Sequence, residues 1–410
     1  MQVIITDREA LKVLTTAPAV KHIILTGGTD TAQNIARSNP ATPLSAETGG
    51  KNAIILTASG DRDHAIMNIV ASAFGNAGQK CSACSLLLVE RSVYEDKNFQ
   101  DKLKDAATSM KVGSVWNPGN VVGPMITNKN DKLLKALELE KGESWLVPPR
   151  FLDKHKYVLA PTVKWGVRPG NYSFRTELFG PMLSVVCIEN LQQGIDLVNS
   201  LEYGLTSGLQ SLDEGEQKLW KDSIMAGNLY INRGITGAIV NRQPFGGMKL
   251  SAFGGGVKAG GPNYCACFVN IADKPGSTTD YTQSYVKAYE QEFAHARDVN
   301  NLYGEQNAFR YLPLKNMVLR LFPGDNNEDA KMIALAARIC HTPLSISFEP
   351  GDDRTAALAS LGCPLKEEAL AGFLKSMKNY ERIRTCGLIF RWKCTRKLHV
   401  LISILLQLNR

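Results

Sequence analysis

Short apolar segments alternate with helix-like segments through most of this 410-residue sequence. An apolar run at 22–28 ends in two glycines and precedes a helix-like run, and the same order returns around SLLLVERSVY. Short apolar runs next to turn residues indicate strands, and apolar spacings of three and four indicate helices. This alternation predicts an α/β fold. With 44% apolar residues the chain can bury a substantial core, and its length allows two or three domains.

The run FGNAGQKCSACS, residues 74–85, contains the candidate nucleophile Cys81. Its small residues let the backbone approach a bound molecule and leave this thiol as the strong nucleophile of the run. A cysteine in an apolar setting can also be an inert core residue. The CxxC spacing with Cys84 admits a zinc or dithiol interpretation, but a zinc site needs four ligands and no second pair has usable spacing. We therefore predict no metal.

Two further features lie upstream of this run. A strand, the glycines Gly27 and Gly28, and a helix start at Thr29 would favour an anion such as a pyrophosphate, although a plain strand-to-helix turn has the same pattern. Glu47 precedes a diglycine. A carboxylate at the edge of a buried, glycine-lined cavity has a raised pKa and can act as a general base. The alternative for Glu47 is an ion pair with Lys51.

Four blocks in this order resemble the aldehyde dehydrogenase superfamily over residues 10–272: AETGGKN around Glu47, the run around Cys81, TELFGP at 176–181 and QPFGG at 243–247. The resemblance implies an aldehyde dehydrogenase-like fold. That fold would combine a partial Rossmann-type cofactor domain, an α/β catalytic domain and an additional C-terminal module. It also implies that Cys81 attacks an aldehyde carbon and that Glu47 later activates water.

The same resemblance implies NAD as the cofactor. Gly27, Gly28 and Thr29 would then lie at its phosphates, Glu177 would accept hydrogen bonds from the nicotinamide ribose, and Phe179 would pack against the nicotinamide. The family's turn usually has a serine where Gly28 stands, so a hydroxyl contact must come from Thr29 or be absent. The choice between NAD and NADP stays open.

The segment GITGA, residues 234–238, resembles the anchor loop of the branch that oxidises glutamate semialdehyde. The resemblance implies that the amides of Gly237 and Ala238 hold the substrate carboxylate, that Ser82 adds a hydroxyl and that Phe245 lines the aldehyde pocket. GITGA could instead be a flexible surface loop. Two other functions stay open: a dehydrogenase for another semialdehyde, and a catalytically inactive fragment or assembly module.

The resemblance also divides the chain. We expect a remnant of the NAD-binding domain at 1–47, a catalytic domain at 48–250, a return and oligomerisation strand at 251–273, a C-terminal module at 274–384 and an atypical basic tail at 385–410. The module resembles one appended to bifunctional proline-utilisation flavoenzymes, which implies a flavin-binding proline dehydrogenase domain upstream. We expect a homo-oligomer, a missing N-terminal half and little activity in the isolated chain.

Charge and apolar patterning exclude other classes of protein. The net charge is +8, but basic residues are mixed with acidic ones up to about residue 380, so we predict no nucleic-acid partner. The apolar run at 398–408 is too short to cross a membrane, and the N-terminus lacks the pattern of a secretory signal. Nine cysteines, an odd number in a large chain, indicate reduced thiols and a cytoplasmic location.

Overall fold

A computed structural model describes residues 2–240, 242–255, 257–269 and 281–386 of the protein. Helices and strands alternate along the chain, which confirms the predicted α/β fold. The first elements are α1 (Arg8–Thr16), β1 (Ile23–Thr26), α2 (Thr29–Ser38) and β2 (Leu44–Glu47).

A seven-stranded sheet forms the body of the central region. The elements of this region are β3 (Asn52–Leu56), α3 (Arg62–Phe74), β4 (Cys84–Glu90), α4 (Arg91–Tyr94), α5 (Lys97–Thr108), α6 (Asp131–Ala136), β5 (Ser144–Val147), β6 (Thr162–Trp165), α7 (Tyr172–Arg175), β7 (Met182–Ile188), α8 (Leu191–Asn199), β8 (Tyr203–Gly204), β9 (Thr206–Gln210), α9 (Glu214–Ser223), β10 (Asn228–Ile231), β11 (Met248–Lys249) and β12 (Ala252–Phe253). The sheet order is β10-β9-β3-β4-β7-β6-β5, and all its pairs are parallel except β5 with β6.

Both faces of this sheet are buried. Successive residues of β3 enter different apolar clusters: Ile54 and Leu56 pack with α3 and α5, and Ile55 packs with α8 and α9. A parallel strand covered on both faces reads as a continuous apolar run, as NAIIL does. The sheet therefore holds β3 and β4 side by side. The segment that carries Cys81 connects α3, which follows β3, to the start of β4.

A smaller sheet of order β1-β2-β12 carries the candidate base. Helix α2 covers one face of it through Ala32, Ile35 and Ala36. The last residue of β2 is Glu47, which pairs with Thr26 of β1. Strand β1 is one of the two edge strands of this sheet, and Ile24 on it is 61% exposed.

The segment GGPNYCACF after β12 is not a strand, so the prediction of an oligomerisation strand is wrong for residues 264–268. Asn263 has a left-handed backbone (φ 63°), and Tyr264–Phe268 forms a 3₁₀ turn after it. Proline and a left-handed residue interrupt the extended backbone that a strand needs, and this explains the error. The rest of the predicted strand, from residue 270 onward, lies outside the described residues.

The C-terminal region contains a second parallel sheet. Its elements are α10 (Tyr281–Ala288), β13 (Met317–Arg320), α11 (Asn327–Ile339), β14 (Leu344–Phe348), α12 (Thr355–Ala359), β15 (Leu365–Glu367), α13 (Leu370–Ser376) and β16 (Arg382–Thr385). The sheet order is β15-β14-β13-β16, with α11 packed on one face and α13 on the other. The predicted boundary at 274–279 and the tail from 387 onward lie outside the described residues.

Across the residues that the structure describes, none of the helices is both long enough and apolar enough to span a membrane.

Candidate active site

The loop before Cys81 has an unusual backbone. Asn76, Ala77 and Gly78 all have left-handed backbones, with φ of 55°, 54° and 64°. Such angles are unfavourable for residues with a Cβ and persist only where the surroundings impose them. A Cβ added to Gly78 would lie 2.3 Å from the carbonyl oxygen of Gly180. The turn therefore presses directly against the TELFGP block, and two of the sequence motifs meet here.

Gln79 fixes this contact. Its Nε2 donates to the carbonyl of Phe179 (3.1 Å), and its Oε1 accepts from the amide of Ile126 (3.0 Å). Phe179 has a left-handed backbone (φ 49°), which is rare for a bulky residue. The residue predicted to contact the nicotinamide is thus held in a strained conformation next to the nucleophile loop.

Asn52 positions the nucleophile from the other side. Its Nδ2 donates to the carbonyls of Cys81 (2.7 Å) and Ala83 (3.0 Å), and its Oδ1 accepts from the amide of Thr206 (3.0 Å). Our sequence reasoning missed this residue. A polar side chain at the start of the otherwise apolar run NAIIL was the available signal, because a buried amide must find several partners.

Cys81 is partly buried and has acidic neighbours. Burial raises the pKa of its thiol, and the nearby carboxylates of Glu47 and Glu177 raise it further, whereas the backbone amides of Ser82 and Cys81 lower it. The sulfur is therefore mainly a thiol at neutral pH. The two amides are placed to stabilise the thiolate once a proton leaves.

Glu47 has the electrostatics expected of a general base. Burial raises its pKa to about 7, against the opposing effects of Lys258 and the Gly247 amide. Its Oε2 is buried and has no hydrogen-bond partner among the described residues. Glu47 and Lys258 both line a cavity of about 30 Å³, which is large enough for one water molecule.

Lys258, and not Lys51, is the lysine whose charge lowers the pKa of Glu47. Lys51 is buried, and its ammonium donates to the carbonyl of Ser85 (3.3 Å). The Lys258 ammonium donates to the carbonyl of Gly227, and burial lowers its pKa to about 8. A single charged residue in the glycine-rich stretch GGGVKAGG was a signal that our sequence reasoning did not use.

The QPFGG block also reaches Glu47. A Cβ at Gly246 would lie 3.0 Å from Glu47 Oε1 and 3.1 Å from Lys258 Cγ, so a side chain there would be wedged between the two charged groups. Phe245 pairs with Ala259 through two backbone hydrogen bonds of 3.0 and 2.9 Å. The block is thereby held as a short bridge beside the candidate base.

The predicted cofactor residues fit a dinucleotide in part. Gly28 is the N-cap of α2, and a Cβ there would meet nothing within 4 Å, so the helix N-terminus is open. The amide of Gly27 donates to the Glu47 carbonyl (3.1 Å), and the Thr29 hydroxyl is within 3.5 Å of the Leu250 carbonyl. Acidic Asp30 in the first turn opposes an anion.

Glu177 lies at the other end of the predicted cofactor site. Its Oε1 accepts from the amide of Gly50 (2.9 Å), and burial raises its pKa against the effects of this amide and of Lys132 and Lys51. The bond orients the carboxylate beside the diglycine. The second carboxylate oxygen can accept from a hydroxyl group such as that of a ribose.

The described residues 233–240 and 242–243, here called the anchor loop, include Gly237 and Ala238. Gly237 is exposed with a left-handed backbone (φ 84°), and no hydrogen bond within the described residues uses the amide of Gly237 or of Ala238. Tyr230 links this loop to the nucleophile: it is close enough to Cys81 for a charge there to affect its pKa, and its hydroxyl is 3.4 Å from Gln243 Oε1. The remaining predicted substrate residue, Ser82, is buried.

The thiol next to the nucleophile is inert. Cys84 is buried, its sulfur donates to the carbonyl of Leu86 (3.4 Å), and burial raises its pKa to about 12. In the described part of the chain, no group of three or more His, Cys, Asp or Glu side chains could hold a metal ion. The eight cysteines placed by the structure are all free thiols.

A cysteine, two carboxylates and a strained glycine turn thus lie together at the edge of a parallel sheet. The chain belongs to the aldehyde dehydrogenase family, whose sequence profile matches residues 1–273.

Two curated relatives each match about half of the chain. The 1-pyrroline-5-carboxylate dehydrogenase of Geobacillus sp. (strain WCH70) is 36% identical over 221 residues, which are 53% of this chain and 42% of the relative. The enzyme of the same name from Bacillus subtilis (strain 168) is 35% identical over the same shares. The chain thus spans less than half the length of these relatives.

Solved structures extend the likeness. Proline Utilization A from Corynebacterium freiburgense is 36% identical with a TM-score of 0.76, covering 88% of this chain and 41% of that one. A 1-pyrroline-5-carboxylate dehydrogenase from Thermus with bound NAD is 32% identical with a TM-score of 0.58, covering 63% of this chain and 51% of that one. The first match extends beyond the 273 residues of the family profile, so it includes part of the C-terminal region.

Proposed function

We propose that this chain carries the catalytic site of an NAD-dependent dehydrogenase that oxidises glutamate γ-semialdehyde, the open form of pyrroline-5-carboxylate, to glutamate. The observation that carries the proposal is the position of Glu47, which is close enough to Cys81 for its charge to raise the pKa of the thiol. Glu47 has a pKa near 7 and an unpartnered oxygen beside a cavity of water size. The names of the curated relatives support the choice of substrate.

In this proposal Cys81 forms a bond from its sulfur to the aldehyde carbon after losing its proton. The amides of Cys81 and Ser82 stabilise the thiolate. Glu47 later takes a proton from the water that releases the acyl group from the sulfur. A pKa near 7 suits this task, because at neutral pH a large fraction of the group is ionised and able to accept the proton.

Glu177 and Phe179 would hold the nicotinamide end of NAD, and Gly27, Gly28 and Thr29 would lie at its phosphates. When bound, NAD supplies the acceptor for a hydride. Because the Thr29 hydroxyl is engaged by the Leu250 carbonyl, backbone amides would make the phosphate contact, against the opposing charge of Asp30. NAD bound in the similar Thermus enzyme supports this cofactor.

The substrate carboxylate would bind the free amides of Gly237 and Ala238, with the Ser82 hydroxyl as a further donor and Phe245 at the aldehyde chain. We also retain the division into a cofactor part at 1–47, a catalytic part at 48–250, a connecting segment at 251–273, a module at 274–384 and a tail at 385–410. The proposal also includes a homo-oligomer, a flavin-dependent proline dehydrogenase partner and a cytoplasmic location. The similar Proline Utilization A structure supports the partner.

The test is NADH formation from glutamate semialdehyde, measured on the 410-residue chain and on the chain joined to the first half of a curated relative. In the active form, Cys81→Ser should abolish NADH formation. Glu47→Gln should give one rapid equivalent of NADH and then slow turnover, because an amide cannot take a proton from water. Absence of Cys81-dependent NADH in both forms would contradict the proposed function. An equal rate with an uncharged aldehyde would contradict the substrate.

A further inference from the structure

One carboxylate of the C-terminal region ties both ends of the anchor loop. Glu305 Oε2 accepts from Arg233 Nη1 at 3.0 Å, and Glu305 Oε1 accepts from Arg242 Nη1 at 3.1 Å. The Glu305 side chain is only 27% exposed, so these ion pairs are partly shielded from water. Beside them, Gln243 Nε2 donates to Asn307 Oδ1 at 2.9 Å.

The two ends of the anchor loop differ in their other supports. At its start, the amide of Ile235 donates to Ser72 Oγ (3.0 Å), and Gln210 Nε2 donates to the carbonyl of Arg233 (3.1 Å). Ile235 itself is buried. At its end, the side chains of Arg242 and Gln243 are bonded to Glu305, Asn307 and Tyr230. The C-terminal region therefore supplies most of the side-chain ties at this end.

The segment that carries Glu305 is itself ordered. Asp298 accepts from the amides of Asn300 (3.1 Å), Asn301 (3.1 Å) and Asn307 (2.7 Å), and these bonds lower its pKa. Residues 297 and 309 close the segment with two backbone hydrogen bonds of 2.8 Å. Glu305 and Asn307 are thus presented from a preformed loop and do not have to be ordered when they bind the anchor loop.

We propose that Glu305 is a positioning residue that holds the anchor loop in the shape in which the amides of Gly237 and Ala238 face a carboxylate. Fixing both ends reduces the entropy that the loop would lose when it binds an anion, so the tie increases affinity without touching the ligand. The part of this inference that concerns affinity rests on the proposed function. The part that concerns the shape of the loop rests on the two ion pairs alone.

Another ion pair joins the same two regions outside the anchor loop, and it serves as a matched control. Arg310, from the same C-terminal region, donates to Asp222 Oδ1 at 3.1 Å, and this pair lies outside the anchor loop. Glu305→Gln and Asp222→Asn each remove one negative charge from an ion pair between the same regions. Only the first should change the anchor loop. Asn307→Ala provides a second variant that leaves the charges intact.

The first measurement is hydrogen exchange, in the full chain, of the anchor-loop amides that are hydrogen-bonded and therefore protected, those of Ile235, Arg242 and Gln243. Glu305→Gln should speed their exchange at least about fivefold, which is the effect of losing charge-assisted hydrogen bonds, and Asn307→Ala should speed it less. Asp222→Asn should leave it unchanged. Unchanged exchange in Glu305→Gln, or equal acceleration in both charge variants, would overturn the inference.

The second measurement is affinity for L-glutamate by calorimetry, together with KM for glutamate semialdehyde and for butanal in an active form. Glu305→Gln should weaken glutamate binding and raise KM for the carboxylated aldehyde about fivefold while leaving KM for butanal and kcat unchanged. If hydrogen exchange in Glu305→Gln is faster but KM for glutamate semialdehyde does not rise relative to KM for butanal, the part of the inference that concerns affinity is overturned. If the unmodified chain neither binds glutamate nor turns over, the proposed function fails, and hydrogen exchange still decides whether Glu305 shapes the loop.

Discussion

At the scale of single residues, the site depends on competition between burial and hydrogen bonding. The Cys81 thiol is disfavoured as an anion by burial and by two carboxylates, and only backbone amides counter these effects. Glu47 is likewise kept partly protonated by burial, although Lys258 opposes this. The resting site therefore avoids two adjacent negative charges. Either group can become ionised when the other is neutral or covalently bound.

This competition predicts the labelling behaviour of Cys81. Ionised Glu47 raises the pKa of the Cys81 thiol, so Glu47→Gln should lower that pKa and increase the thiolate fraction. Iodoacetamide should then label Cys81 severalfold faster at pH 8, where Glu47 is mostly ionised, and with a smaller gain at pH 6, where it is mostly neutral. Peptide mass spectrometry over time measures both rates. Glu95→Gln, at the exposed residue that directly follows α4, is the control. A slower or unchanged rate in Glu47→Gln at pH 8 would contradict this electrostatic account.

At the scale of elements, the turn between α3 and β4 is the tightest part of the site. Gly78 combines a left-handed backbone with direct contact to the Gly180 carbonyl, whereas Gly75, three residues earlier, has open space around it. These two glycines look alike in the sequence FGNAG. Only the packing of the TELFGP block against the turn separates their roles.

Gly78→Ala should therefore destabilise the protein by about 3 kcal/mol, since it adds backbone strain and a clash with a carbonyl. It should also slow labelling of Cys81, because the loop must move away from the block around Phe179. Gly75→Ala should change the free energy of unfolding by less than about 1 kcal/mol. Urea unfolding of both variants provides the comparison. Equal losses in the two would show that the close contact does not hold the turn.

The elements also show what the sequence could predict. The alternation of strands and helices and the resemblance of the motifs predicted the fold. Glu47 and Glu177 lie close enough to Cys81 to raise its pKa, but their catalytic roles stay predictions. Asn52 and Lys258 escaped notice because their roles depend on contacts with residues 29 and 211 positions away along the chain. The 3₁₀ turn at 264–268 escaped notice because a short apolar run gives the same pattern in a strand and in a turn.

At the scale of the whole molecule, the small sheet leaves an apolar edge in solvent. Strand β1 is at this edge, and Ile24 is 61% exposed on it. Exposed strand edges with apolar side chains promote pairing between chains. Self-association through β1 is therefore expected at high protein concentration.

Ile24→Lys should reduce this association, because a charge on an edge strand opposes pairing. Sedimentation velocity over a range of concentrations measures the effect. Val115→Lys is the matched control, since Val115 is 67% exposed but lies in a loop. Equal association of Ile24→Lys and the unmodified chain would exclude the β1 edge as the contact.

The central claim is that Cys81 is the group that binds an aldehyde. The most direct measurement is protection of Cys81 from iodoacetamide by glutamate semialdehyde, followed by peptide mass spectrometry on the 410-residue chain. Exposed Cys265 in the same sample is the internal control. The account predicts that the aldehyde slows labelling of Cys81 in a saturable manner, does so at lower concentration than butanal, and leaves Cys265 unaffected. Labelling of Cys81 at the same rate with and without the aldehyde would contradict it.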